Sequence, residues 1–272
     1  MQPLGYKIVD KEERVFMEII AHAKAHGYAV ELGLYGESRE VRDAFSTLPD
    51  SAKNLHFNHY RYTLLDAETT LHALRGDIES AQNMGAPYAI HHLAKNPMTR
   101  RPAWQPRVLE EAMRQLRCVE ELLEERGFEI YIENTYEPLS FYDALFERLS
   151  GEGCRHFNFC FDIGHAKIWS DARFDEWMRF LYQLKQQGLK IHFHLHANRG
   201  LRDEHLSFVE MEELGFDGDD RVFSDMTYAQ MLREIARFFP KERKIFEVKS
   251  EYALKNMAWV RETLANDTVA IS

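Results

Sequence analysis

Phe157-Asn158-Phe159-Cys160-Phe161-Asp162-Ile163-Gly164-His165 is the stretch on which the fold turns. Neighbouring side chains on a strand face opposite ways, so Phe157, Phe159 and Phe161 share one face and Asn158, Cys160 and Asp162 share the other. The strand stops on a carboxylate, and an imidazole follows three residues later across a tight turn, so both reach one small volume. An N-capping aspartate beside an incidental histidine would leave the same trace. The pattern gains weight from company. Leu55-His56, Ala89-Ile90-His91-His92, Ile130-Tyr131-Ile132-Glu133, Ile191-His192-Phe193-His194 and Lys244-Ile245-Phe246-Glu247 also end on residues that can bind a divalent metal. Such segments, separated by helix-like stretches, predict a ring of parallel strands that delivers ligands to one shared mouth.

The alternation recurs. Ile191, Phe193 and Leu195 oppose His192, His194 and His196, and Ile130 and Ile132 oppose Glu129, Tyr131 and Glu133. The apolar faces are expected against helices and the polar faces inside the barrel. Expected strands are Tyr6 to Val9, Ala29 to Leu34, Asn54 to Asn58, Tyr88 to His92, Glu129 to Glu133, Phe157 to Asp162, Lys190 to His194 and Lys244 to Val248. Helical stretches such as Lys11 to His26, Asp66 to Met84, Pro106 to Arg126 and Phe174 to Gln187 lie between them. Gly27, Gly85, Gly127 and Gly188 stand where a left-handed residue closes a helix. The alternation of strand and helix predicts an α/β fold, a single (β/α)8 barrel occupying residues 1–272 as one catalytic domain.

Size and charge fit that picture. Such barrels take about 250 residues, and this chain has 272, of which 45% are hydrophobic. A formal net charge of −10 works against broad attraction to polyphosphate, although a local basic patch would still bind it. Cys118, Cys154 and Cys160 lack metal-finger spacing and read as free thiols in a reducing compartment. The stretch Met1-Gln2-Pro3-Leu4-Gly5-Tyr6-Lys7 has no apolar core of a leader, and no run reaches the roughly 18 apolar residues of a membrane span. A soluble, cytoplasmic protein with no membrane partner is expected.

Glu133 and Glu247 each end an apolar strand, where a carboxylate must be solvated, paired or metal-bound. Salt bridges to lysine or arginine are the plain alternative. The long loop Ala197 to Thr227 carries Asp203-Glu204-His205, which sets a carboxylate and an imidazole on one side of an extended segment. A solvated loop explains that pattern equally well, but loops this long are often functional. Ala94 to Gln105, with Arg100, Arg101 and Trp104, reads as a second lid. Lys167, Arg199 and Arg202, with those two arginines, are candidate grips for phosphate, against the commoner fate of solvated surface charge. Trp104 and Tyr136 are candidates to stack on a sugar or base, against ordinary loop packing. Mixed imidazole and carboxylate ligands suit zinc or manganese rather than a thiolate-type structural zinc.

The segments Ile132-Glu133-Asn134-Thr135, Phe161-Asp162-Ile163-Gly164-His165-Ala166, the His194 region and Ile245-Phe246-Glu247 resemble, in order, signature segments of the xylose isomerase-like TIM barrel superfamily. That superfamily also contains the endonuclease IV type of apurinic-site nuclease (AP endonuclease family 2). The resemblance implies one metal held by Glu133, Asp162, His194 and Glu247. Its endonuclease IV branch implies three metals and nine ligands, the others being His56, His92, His165, Asp203 and His205. Glu133 would bridge two metals, and His165, Asp203 and His205 would hold the third. His92 is taken over His91 because it lies seven residues after Gly85, and His194 over His196 from its spacing to Ala197. Ala197 stands where the family usually has aspartate, and His92-Leu93-Ala94 where a His-Pro-Gly turn is common.

Two chemistries follow from the resemblance. One is hydrolysis of a phosphate ester with one to three divalent ions, zinc first and manganese second, Glu133 bridging metals and orienting a water. Net acidity and the altered loops weigh against duplex DNA as the substrate without excluding it. The other is isomerisation or epimerisation of a sugar or sugar phosphate on one metal, with Glu133 and Glu247 as the acid/base pair. A binding protein with a vestigial site is a third class, one that would not require an intact ligand set. Substrate identity and oligomeric state are not readable from the sequence.

Overall fold

Alternating apolar and polar side chains on eight short strands are what close this chain into a ring. The computed structural model describes residues 3–11, 13–62, 67–93, 101–216 and 221–265. The strands are β1 Leu4–Val9, β2 Ala29–Gly33, β3 Lys53–His56, β4 Tyr88–His91, β5 Glu129–Glu133, β6 Phe157–Asp162, β7 Ile191–Leu195 and β8 Arg243–Phe246. All pair in parallel in chain order, and β8 returns to β1 through Leu4, Gly5 and Tyr6. The helices are α1 Glu13–His26, α2 Arg39–Ser46, α3 Ala67–Asn83, α4 Gln105–Arg126, α5 Leu139–Gly151, α6 Ile163–Trp169, α7 Phe174–Gln186, α8 Phe208–Glu213, α9 Tyr228–Phe238 and α10 Ala253–Ala265. The fold is the (β/α)8 barrel expected from the sequence.

Strand ends differ from expectation by a residue or two. β4 stops at His91 and β8 at Phe246, so His92 and Glu247 lie just beyond the ladder instead of inside it. A side chain there aims across the mouth without distorting a ladder hydrogen bond. Gly27, Gly85, Gly127 and Gly188 all have positive φ (69°, 72°, 58° and 91°). At Gly127 this lets the backbone N–H turn back to the carbonyls of Leu123 and Glu124 and end α4.

The two faces of β6 separate as the alternation requires. Phe159 packs edge-on against Tyr142, Phe146 and Phe180 and lies near Trp177, all on α5 and α7. On the other face, Cys160 joins Ile90, Tyr131 and Tyr88 in a small cluster inside the ring. At the opening strand residues, the Arg243 guanidinium lies 5.4 Å over the Tyr88 ring and donates to the Lys53 carbonyl and Asn54 Oδ1. Cys118, Cys154 and Cys160 are free thiols. No helix among the described residues is long and apolar enough to cross a membrane.

The central apolar layer sets a stability expectation. Phe159→Ala removes a fully buried ring from the strand–helix interface and should cost about 3–5 kcal/mol of unfolding free energy by denaturant titration. A loss under about 1 kcal/mol would mean this face does not carry the packing.

Candidate metal centre

Glu133, the last residue of β5, is fully buried at the barrel axis and is the hub of the site. Its Oε2 lies 3.1 Å from His56 Nε2, 3.0 Å from His92 Nε2 and 3.3 Å from His194 Nδ1, while Oε1 lies 3.0 Å from His165 Nδ1. Burial alone would raise the pKa of this carboxyl, but the imidazoles of His92, His194 and His165 hold it well below the usual range. One carboxylate therefore meets four imidazoles from four strand ends.

The remaining candidates extend outward from that hub. His194 Nδ1 lies 3.2 Å from Glu247 Oε2 and 3.9 Å from Asp162 Oδ2. Asp203 Oδ2 meets His165 Nε2 at 3.3 Å and His205 Nε2 at 2.8 Å, and His205 Nδ1 lies 3.5 Å from Glu247 Oε1. The structure thus brings His56, His92, Glu133, Asp162, His165, His194, Asp203, His205 and Glu247 into one connected cluster. Burial opposes protonation of His194 and His165, yet their carboxylate neighbours (with Cys160 ahead of them at His194) hold both imidazoles well above the ordinary value. His205 is raised as well, chiefly by Glu247 and Asp203 against burial.

Local structure explains the aim of each side chain. Asp162 is the N-cap of α6, and its Oδ1 accepts the His165 backbone N–H at 2.7 Å. The capping role and the site role coexist in one residue. Asn134 clasps β5 to β6: its Nδ2 donates to the Asp162 carbonyl, its Oδ1 accepts from Asp162 N, and its carbonyl accepts from His165 Nδ1 at 2.9 Å. A backbone bridge between Ala197 and Leu206 doubles the loop after β7 back on itself, returning Asp203 and His205 to the mouth. His205 does this with φ 49°, an uncommon conformation for a non-glycine residue.

The two histidine pairs resolve differently. His92 faces Glu133, whereas His91 packs on the Tyr62 ring at 4.7 Å; burial, with His92 and His56 nearby, pushes His91 down to about 3. His194 and His196 both turn inward. His196 Nε2 lies 3.1 Å from Asp162 Oδ1 and its ring stacks on His205 at 4.4 Å, so both imidazoles stand at the site.

Further residues at the site went unrecognised in the sequence. Glu31 contacts His194 from below, Lys7 contacts Glu247, and the Tyr35 hydroxyl lies 3.1 Å from His56 Nδ1 and 2.8 Å from His59 Nδ1. The rule that singled out Glu133, a carboxylate set in an apolar strand, applies equally to Ala29-Val30-Glu31-Leu32 and would have found it. His59, stacked 4.6 Å from His92, follows no periodicity and left no such signal.

Some expectations are corrected. Lys167 donates to the Asn198 carbonyl at 3.0 Å and sits over the Tyr228 ring, while Arg199 pairs with Glu204 and Arg202 lies 3.6 Å from the same carboxylate. These cations hold the loop together rather than standing ready for phosphate. Arg100, with residues 94–100 of the expected second lid, lies outside the described residues. Trp104 is exposed, with the Arg107 guanidinium over it. Tyr136 lies 4.3 Å from Trp169 with the rings tilted, and Trp169 lies 4.6 Å from His165, giving an aromatic wall beside the cluster.

The donor set fits divalent cations. Zinc–nitrogen and zinc–oxygen bonds of about 2.0–2.1 Å put neighbouring tetrahedral ligand atoms about 3.3 Å apart, close to the contacts above. His56 Nδ1 and His205 Nδ1 donate to the carbonyls of Phe57 (3.0 Å) and Glu247 (3.2 Å), leaving each Nε2 aimed at a carboxylate. Such anchoring of the outer nitrogen is usual for metal-bound imidazole. His194 Nδ1, Glu247 Oε2 and Asp203 Oδ1 are buried without a hydrogen-bond partner. Unsatisfied buried polar atoms are costly, and a cation satisfies all three.

A family model for the xylose isomerase-like TIM barrel matches residues 20–263. The chain belongs to that family. No curated protein matches it. Among solved structures, the TTHB071 protein from Thermus thermophilus, soaked with zinc chloride, is similar at 20% identity over 97% of this chain and 98% of that one, with a TM-score of 0.71. A D-tagatose 3-epimerase-like protein is 17% identical over the whole of both chains, also with a TM-score of 0.71. An IOLI protein with a bound zinc atom is 12% identical over 99% and 97%, with a TM-score of 0.60. At these identities the likeness is one of fold.

Because His165, His194 and His205 are held above the usual imidazole value, a cation must displace protons to bind them near neutral pH. Zinc binding should therefore release protons, and apparent affinity should fall as pH drops, the fall beginning above the ordinary imidazole value of about 6.5. Calorimetry in two buffers of different ionisation enthalpy measures the release; binding without proton release would contradict the ligand set.

Proposed function

We propose that this chain is a divalent-metal-dependent hydrolase of a phosphate ester, with Glu133 and Glu247 at the reacting centre. The observation that carries the reading is the sharing of Glu133: its Oε2 faces His56, His92 and His194, and its Oε1 faces His165. A site for a single ion needs no such bridge. In this reading His56, His92 and Glu133 would hold one ion, Asp162, His194 and Glu247 with Glu133 a second, and His165, Asp203 and His205 a third. Groups of ligand atoms close enough for one ion include the first of these, Asp162 with His165 and His196, and His196 with Asp203 and His205. Zinc is the first candidate for the ions and manganese the second.

Divalent ions held there would supply a water of lowered pKa, neutralise phosphoryl oxygens and stabilise a leaving alkoxide. The chain's own residues do the rest. Glu133, ionised and buried, orients that water and accepts hydrogen bonds without being protonated itself. Glu247 and Asp162 complete the negative wall that fixes the cations, and Trp169 and Tyr136 restrict water access on the His165 side. The net charge of −10 and the internal pairing of Arg199 and Lys167 favour a small phosphate ester over duplex DNA.

A second reading is metal-dependent isomerisation or epimerisation of a sugar or sugar phosphate. It is favoured by one contact: Glu133 Oε2 and Glu247 Oε2 lie 3.3 and 3.2 Å from the same atom, His194 Nδ1. A carboxylate on either side of one ion is the arrangement for removing and returning a proton beside a carbonyl. Similarity to a D-tagatose 3-epimerase-like protein supports this reading.

Elemental analysis with a panel of aryl phosphodiesters, phosphomonoesters and ketoses separates the two. Two or three ions per chain with phosphate release is the expected result; one ion with sugar epimerisation would replace it with the second reading. Glu247→Gln should lower activity at least about 100-fold and weaken metal binding while leaving the circular dichroism spectrum unchanged. A fully active, fully metallated variant would remove Glu247 from the centre.

A further inference from the structure

We propose that Glu31 is the positioning residue of this centre, fixing His194 so that Nδ1 rather than Nε2 faces Glu133 and Glu247, while Lys7 fixes Glu247 from the other side. The inference rests on the metal-dependent reading above and adds two residues to it.

Glu31 sits in the middle of β2, fully buried one layer below the cluster. A carboxylate there needs donors, and it has them from separate strands. Asn54 Nδ2 donates to Oε2 at 2.6 Å and His194 Nε2 donates to the same oxygen at 3.1 Å. His192 Nε2 lies 3.3 Å from Oε2, and Lys7 Nζ lies 3.8 Å from Oε1. His192 cannot turn its other nitrogen to Glu31, because the Tyr88 hydroxyl, 3.0 Å from His192 Nδ1, occupies that side. This acceptor-only group takes an N–H from Asn54 and from His194, while His192 Nε2 lies close by without a hydrogen bond.

The consequence lies on the opposite edge of the His194 ring. With Nε2 committed to Glu31, Nδ1 is the nitrogen left to hold either a proton or a metal ion. Its nearest carboxylate oxygens are Glu247 Oε2 at 3.2 Å, Glu133 Oε2 at 3.3 Å and Asp162 Oδ2 at 3.9 Å, all acceptors. His194 Nδ1 and Glu247 Oε2 are both buried without a hydrogen bond. Lys7 engages Glu247 through Oε1, which leaves Oε2 for the centre. With neither a proton nor a metal ion on Nδ1, lone pairs would face one another here and repel. Glu31 and Lys7 are thus what keeps the ligand atoms pointed at one another.

A competition titration of zinc against a chromophoric chelator, on wild type and Glu31→Gln, tests this. The glutamine amide loses the charge and replaces one acceptor oxygen with a donor NH2, which weakens the hold on His194 Nε2, so one ion of the set should bind about 10–100-fold more weakly while the others keep their affinity. Lower thermal stability of the metal-free variant with every zinc affinity unchanged would make Glu31 a merely structural residue and overturn the proposal. A second measurement needs no Glu31 variant: long-range proton–nitrogen correlation spectra of zinc-loaded, 15N-histidine wild type. A proton on His194 Nε2 with zinc on Nδ1 is expected, and the reverse pattern overturns the assignment. Wild type that takes up no zinc would overturn the metal-dependent reading as well, whereas zinc-loaded wild type with an indifferent Glu31→Gln would overturn this inference alone.

Discussion

Burying carboxylates at the axis of a closed barrel is the constraint that organises this protein. Glu31, Glu133 and Asp162 are fully buried, and Asp203 and Glu247 are largely so. An unpaired buried charge costs several kcal/mol, so the interior tolerates them only with compensation from every side. The imidazoles of His56, His92, His165, His194, His196 and His205 supply it, with Lys7 and Asn54 below. His194 Nδ1, Glu247 Oε2 and Asp203 Oδ1 remain without hydrogen-bond partners in this crowd, and bound cations would satisfy them.

The fold makes such crowding achievable. Parallel strands end at one mouth, so neighbouring strands deliver side chains to the same volume without long loops. The segments that do leave the barrel are tied down: α6 by the Asp162 cap, the β7 loop by the Ala197–Leu206 bridge, β5 to β6 by Asn134. A site built on strand ends and capped turns holds its geometry more tightly than one carried on free loops.

Much of this was legible in the sequence because strand periodicity is a local signal. Phe157, Phe159 and Phe161 against Asn158, Cys160 and Asp162 gave both the strand and its inward face, and the same reading at β5 and β7 placed Glu133 and His194. Glu31 and Lys7 were legible by that rule but lie in strand middles, away from the strand ends that carry the metal-binding pattern. His196 shares the inward face of His194, and the alternation did not require a choice between them. Tyr35 and His59 depend on how loops after β2 and β3 fold over the mouth, and the approach of Arg199 to Glu204 depends on a turn; such long-range or irregular contacts have no periodicity to read.

The central claim is that opposed lone pairs of Glu133, His194 and Glu247 surround a cation. Crystals of zinc-loaded protein, measured on both sides of the zinc absorption edge, test it most directly. The account predicts an anomalous peak within bonding distance of His194 Nδ1, Glu247 Oε2 and a Glu133 carboxylate oxygen. Zinc confined to surface histidines, with these three atoms closed on one another by protons alone, would contradict it.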